Sequence, residues 1–179
     1  QFLELHIILE QKTVHKQHQI RFRNFFIAGT QLFSGTFDAL IINDRIDLAL
    51  LVDADGVHLG QDDLPLSEAR QLLGPERLLG RSTHRLEHLL TAQEEGADYL
   101  GVGPVFATQT KRDRSPAGLS WVTEASRHAT VPWFAIGGID AETIRSVRAA
   151  GAERVAVVSA IMESNDPKAA SRTLLQTLT

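Results

Sequence analysis

Cysteine is absent from this sequence, which excludes disulfides, thiolate metal centres and cysteine nucleophiles. Aromatic residues are scarce, at 6%, and scattered, so no stacking platform for nucleic-acid bases can be assembled from them. Positive charge is in the minority. Eighteen Lys and Arg face 22 Asp and Glu, giving a net charge of −4 that argues against broad binding to nucleic acid. A few cations or backbone amides in one cleft could still hold a phosphate. No apolar run is long enough to span a bilayer, and no basic-then-apolar leader opens the sequence. The cysteine-free composition fits a reducing cytoplasm, and that is the expected location.

What remains is 179 residues, 43% of them hydrophobic, enough for one continuous core. From Ala39 onward two kinds of segment alternate. Short apolar runs read as strands: ALIIND (39–44), GVHLG (56–60), LLGRS (78–82), YLGVGP (99–104), WFAIGG (133–138) and RVAVVS (154–159). Between them lie segments of helical period, among them PLSEARQLLG, RLEHLLTAQEEG and AETIRSVRAAG. Nearly all-apolar strands are those of a parallel sheet buried on both faces. Pro65 and Asp140 stand where helices should start, and Gly74, Gly96 and Gly151 where they should end.

Six such units predict a parallel α/β fold. LHIIL (5–9) supplies a further strand, and the small residues at strand ends tip the expectation to a (βα)8 TIM-type barrel. Its first one or two βα units are atypical or incomplete, because residues 1–38 show no defensible period. The expected division is an atypical segment over 1–38 and a barrel domain over 39–179.

In a barrel, the residues closing each strand meet at one mouth. Here they are polar or small: Asn43 and Asp44, Asp62 and Asp63, Ser82, then Thr108, Gln109, Thr110 and Lys111, then Gly137 and Gly138, then Val158 and Ser159. Carboxylates from neighbouring strands suit a hard cation such as Mg2+ that leaves room for phosphate oxygens. Lysine, hydroxyls and glycine amides suit the phosphates themselves. Each residue also has a plainer reading. Asp44 could cap the next helix, Asp62 and Asp63 could be turn residues, Lys111 could lie in a solvated loop, and the glycine pair could serve close packing. His84 and His88 have metal-ligand spacing without an evident third ligand and read as surface residues. His58, inside an apolar strand, reads as a satisfied core histidine.

LIINDRIDLAL, DADGVHLGQDDLP, GADYLGVGPVFATQTK, AIGGI and AVVSAI, in that order and spacing, resemble thiamine-phosphate synthase. The resemblance runs from about Leu40 to the end of the chain. It implies a (βα)8 barrel and a transferase that joins hydroxymethylpyrimidine diphosphate to thiazole phosphate, releasing diphosphate. It further implies that Asp44 and Asp63 bind Mg2+, and that Asn43, Ser82 and Lys111 bind the pyrimidine diphosphate. Thr108, Gln109, Thr110, Gly138, Val158 and Ser159 fall to substrate binding, mostly toward the thiazole phosphate. Lys111 and Ser82 are the residues expected to act in catalysis. Partners are then small phosphorylated molecules, with no nucleic acid or membrane, and self-association is left open.

One departure stands out. The family's Gln-x-Arg-x-Lys grip on the diphosphate has only a chance likeness here, Gln19-Ile20-Arg21-Phe22-Arg23. Two alternatives therefore stay open, a thiazole tautomerase-like enzyme and a non-catalytic phosphate-binding protein.

Overall fold

A computed structural model describes residues 4–9, 25–30, 37–108 and 115–178, with side chains from Ala39 onward. Eight strands close into a barrel in chain order. Strand β1 is Glu4–Leu9, β2 is Phe25–Thr30 and β3 is Phe37–Asn43. From there strands and helices alternate: α1 (Ile46–Leu51), β4 (Gly56–Leu59), α2 (Leu66–Leu73), β5 (Leu78–Thr83), α3 (Leu86–Glu94), β6 (Tyr99–Val102), α4 (Gly118–His128), β7 (Trp133–Ile136), α5 (Ile144–Ala149), β8 (Arg154–Val157), α6 (Ser159–Met162) and α7 (Pro167–Leu178).

Strands β3 to β8 pair in parallel, each with the next, as the apolar runs predict. At its start the barrel departs from the regular (βα)8 plan, where the first one or two units are expected to be atypical. β2 runs antiparallel to both β1 and β3, and β1 closes the ring by pairing in parallel with β8. Among the described residues no helix precedes Ile46. The shape is that of a TIM-like barrel in which seven strands run the same way and one, β2, is inverted.

Strand alternation divides the core into two shells. One face of β4–β6 packs Val57, Leu59, Leu79, Leu100 and Val102 against helices, where Leu66, Leu89 and Trp121 complete the cluster. The β7–β8 side does the same with Ala135, Val155 and Val157 against Val122, Ile144 and Leu174. The inward face carries Tyr99, Phe134 and Ala156, with Leu78, Ile136 and Val158 beside them. The Tyr99 ring fits because Gly80 has no side chain: a Cβ there would lie 2.1 Å from the ring.

Helix punctuation follows the sequence. Pro65 immediately precedes α2, and Gly74 follows it with φ of 77°. Ahead of α5, the Asp140 carboxylate accepts hydrogen bonds from the N–H of Glu142 and from the N–H and hydroxyl of Thr143. Burial pushes that carboxyl up, but these donors outweigh it and hold it below the ordinary carboxylate range.

Candidate active site

Parallel pairing from β3 to β8 brings their carboxyl ends to one mouth. At β3, Asn43 is buried and lies in register with His58 of β4. Asp44 follows it, exposed, in the left-handed backbone region with φ of 63°. Such a conformation costs roughly 1 kcal/mol for a residue with a Cβ, although aspartate tolerates it better than most. Its N–H donates to the His58 carbonyl at 2.9 Å, tying the turn to the next strand. The next residue, Arg45, pairs with Asp47 and holds that carboxyl down to about 2. The nearest arginine in sequence is thus engaged along the surface.

After β4 the chain turns through Gly60–Asp63. Asp63 is half-buried, and its Oδ2 accepts the Gly60 N–H at 2.6 Å. Asp62 is exposed. Gln61 reaches across to β5, its Nε2 donating to the Ser82 carbonyl at 2.6 Å. Arg81 reaches back, donating to the Leu64 carbonyl at 3.1 Å and to the Gln61 carbonyl at 3.5 Å.

Inside the barrel, His58 is 6% exposed and bonded through both ring nitrogens. Nε2 shares a hydrogen bond with the Ser82 hydroxyl at 2.9 Å, and Nδ1 shares one with the Tyr99 hydroxyl at 3.2 Å. Burial, aided by nearby Asp98, pushes the Tyr99 phenol far above its ordinary range, so it stays neutral and keeps its proton for this chain of bonds. The core-histidine expectation for His58 holds, and its partner is a predicted site residue.

His84 and His88 differ from their predicted surface placement. Both are half-buried with rings edge to face, and His84 Nδ1 donates to the Gly103 carbonyl. Among the described residues no cluster of three or more His, Cys, Asp or Glu is arranged to hold a metal ion. Asp44 and Asp63, the carboxylates expected from the resemblance to hold a cation, stand after the neighbouring strands β3 and β4. Two hard oxygen donors fit Mg2+, which keeps several waters and takes its remaining oxygens from substrate phosphates.

The β6–β8 side is built from main chain. Val105 N donates to the Ile136 carbonyl at 2.8 Å and Phe106 N to the Gly137 carbonyl at 3.0 Å. Gly137 and Gly138 take φ of 100° and 63°. A Cβ on Gly138 would stand 2.6 Å from the Ala107 carbonyl oxygen. Close packing therefore explains the glycine pair, and it places the pair directly beside Thr108, which is half-buried. Val158, half-buried, closes β8 and leads into α6 at the exposed Ser159. Gln109, Thr110 and Lys111 lie outside the described residues, as do Gln19–Arg23.

The mouth thus gathers Asn43, Asp44, Asp63, Ser82, Thr108, Gly138, Val158 and Ser159 at successive strand ends. Sequence reading missed the supports behind them, Gln61, Arg81 and Tyr99. Only Arg81, a charge within an apolar strand, gave a signal.

The family description, the curated relatives and a solved structure at 38% identity point to one family. The family description "Thiamine monophosphate synthase" matches residues 15–161. A thiamine-phosphate synthase of Synechococcus sp. (strain CC9311) is 90% identical over 143 residues, covering 79% of this chain and 40% of that protein. Its counterpart in Synechococcus sp. (strain WH7803) is 71% identical over 139 residues, covering 78% and 39%. The solved thiamine phosphate pyrophosphorylase from Pyrococcus furiosus superposes with a TM-score of 0.71 at 38% identity, covering 77% of this chain and 66% of that one. The chain spans about two fifths of the length of these two curated relatives.

Proposed function

The chain belongs to the thiamine monophosphate synthase family, and from that membership we propose that residues 39–179 are the catalytic domain of a thiamine-phosphate synthase, with 1–38 an atypical segment before it. The activity is a transfer in the cytoplasm, joining hydroxymethylpyrimidine diphosphate to thiazole phosphate and releasing diphosphate. The observation that carries this reading is the meeting at one barrel mouth of two carboxylates, the Ser82 hydroxyl and a glycine-rich main-chain corner. A thiazole tautomerase-like enzyme has no diphosphate to hold and leaves the carboxylates without a task. The full (βα)8 plan belongs to the same proposal, with β1 and β2 standing in for its first units.

Within this reading Asp44 and Asp63 hold Mg2+, and Asn43, Ser82 and Lys111 take the pyrimidine diphosphate. Mg2+, when bound, supplies charge neutralisation for the departing diphosphate. Ser82, oriented by His58, offers its hydroxyl to the pyrimidine substrate. Lys111 adds a cation where negative charge grows as the carbon–oxygen bond breaks. Thr108, Gln109, Thr110, Gly138, Val158 and Ser159 hold the thiazole phosphate so that its ring nitrogen faces the carbon being released. No side-chain nucleophile is needed, which agrees with the absence of cysteine.

The test is product formation by the purified chain with both substrates, in Mg2+ and then in chelator. Metal-dependent thiamine phosphate is expected. A folded chain that binds thiazole phosphate and never turns over would sink the synthase reading in favour of a phosphate-binding protein.

A further inference from the structure

Arg81 stands apart from the residues assigned above. It is 8% exposed between two fully buried side chains on the same face of its strand, Leu79, which belongs to the apolar shell under the helices, and Thr83. A guanidinium is always charged and is costly to bury unless its donors find acceptors. Its hydrogen bonds go to main-chain carbonyls, those of Gln61 and Leu64, on either side of Asp62 and Asp63. The same loop is gripped from the opposite direction, because Gln61 donates to the carbonyl of Ser82, the residue after Arg81. Between these two anchors Asp63 turns its carboxylate back onto Gly60 N–H. The loop is therefore latched twice to β5, once by Arg81 at Leu64 and Gln61 and once by the Gln61 side chain at Ser82.

We propose that Arg81 is a positioning residue, which with Gln61 fixes the Gly60–Leu64 loop so that Asp63 presents one carboxylate oxygen to a divalent cation while the other is held by Gly60. This rests on the reading of Asp63 as a metal ligand. Arg81 does not touch metal or substrate. Its effect falls on the affinity of the metal site, since residues that orient ligands from behind typically change metal affinity by about 10- to 100-fold.

The experiment compares wild type, Arg81→Met and Arg81→Lys by two measurements. Amide hydrogen exchange at Gly60 and Asp63 reads the loop. Titration with Mn2+ in the presence of inorganic diphosphate reads the metal site. Arg81→Met is expected to exchange roughly tenfold faster at those two amides and to bind Mn2+ roughly tenfold more weakly, while β6–β8 amides are unchanged. Arg81→Lys, which keeps the charge but loses the fork, falls between, and it decides the matter if the methionine variant does not fold. Exchange and Mn2+ affinity within twofold of wild type in the folded variants would overturn the positioning role. Wild-type protein that binds no Mn2+ would instead overturn the metal reading of Asp63, and the exchange rates would still show whether Arg81 holds the loop.

Discussion

On the β4–β5 side of the mouth, polar side chains do the holding: His58 bonds the Ser82 hydroxyl, Gln61 and Arg81 bond main-chain carbonyls that fix the Asp63 loop, and Asp63 bonds the Gly60 N–H. On the β6–β8 side the bonds described above run between main-chain groups. There, backbone amides bond backbone carbonyls, and glycines let one main chain lie against another. A site for a metal and a diphosphate needs oxygens and hydroxyls at fixed angles, and side chains must be braced to provide them. A site for a phosphate monoester can be lined by main chain, provided no Cβ intervenes. The two halves should therefore fail in different ways.

The largest effect is expected on the main-chain side. A Cβ at Gly103 would lie 2.0 Å from the Ile136 carbonyl oxygen, which also accepts the Val105 N–H. Gly103→Ala should cost about 3 kcal/mol, the upper end for overpacking, because backbone cannot move aside as a side chain can. Urea unfolding monitored by circular dichroism measures it, and a loss under 1 kcal/mol would show this corner to be softer than described.

On the side-chain half, the expected loss is of function more than of fold. Asp44→Gly suits the left-handed backbone at φ of 63° and should leave stability within about 1 kcal/mol of wild type while removing metal-dependent turnover. Chemical denaturation and a turnover assay on the same preparation separate the two; unchanged turnover would remove Asp44 from the metal site. Ser82→Ala breaks the bond to His58 and should lower turnover about tenfold, worth about 1.4 kcal/mol in the transition state. Its melting temperature should stay within a few degrees of wild type.

The smallest effect lies away from both halves and serves as a control. Asp140→Ala removes the acceptor ahead of α5 and should cost about 1 kcal/mol at pH 7. Because the folded carboxyl sits below its unfolded value, this stabilisation is complete above the unfolded value near pH 4 and is lost as pH falls through the lowered one. Wild type and variant should therefore converge in stability as pH falls below the ordinary carboxylate range, without either mouth half being affected.

The strands β3 to β8 were legible because each is short, apolar and bounded by a helical period, so burial on both faces leaves only one assignment. LHIIL was readable as a strand from its short apolar run alone. FFIAGT was not, because its place comes from antiparallel pairing with β1 and β3 and no helical segment follows it as punctuation. At the mouth, Asn43, Asp44, Asp63 and Ser82 were visible as polar residues closing apolar runs. The bonds from His58 to Ser82 and from Arg81 to the loop were not, since they join neighbouring strands across the barrel wall. Spacing along one strand says nothing about which ring nitrogen meets which hydroxyl on the next.

The division of the mouth into two halves is tested most directly by calorimetric titration of the wild-type chain with each substrate alone, in Mg2+ and in chelator. The account predicts that thiazole phosphate binds alike under both conditions, and that hydroxymethylpyrimidine diphosphate binds only when Mg2+ is present. Equal binding of the diphosphate in chelator, or loss of thiazole phosphate binding there, would contradict it.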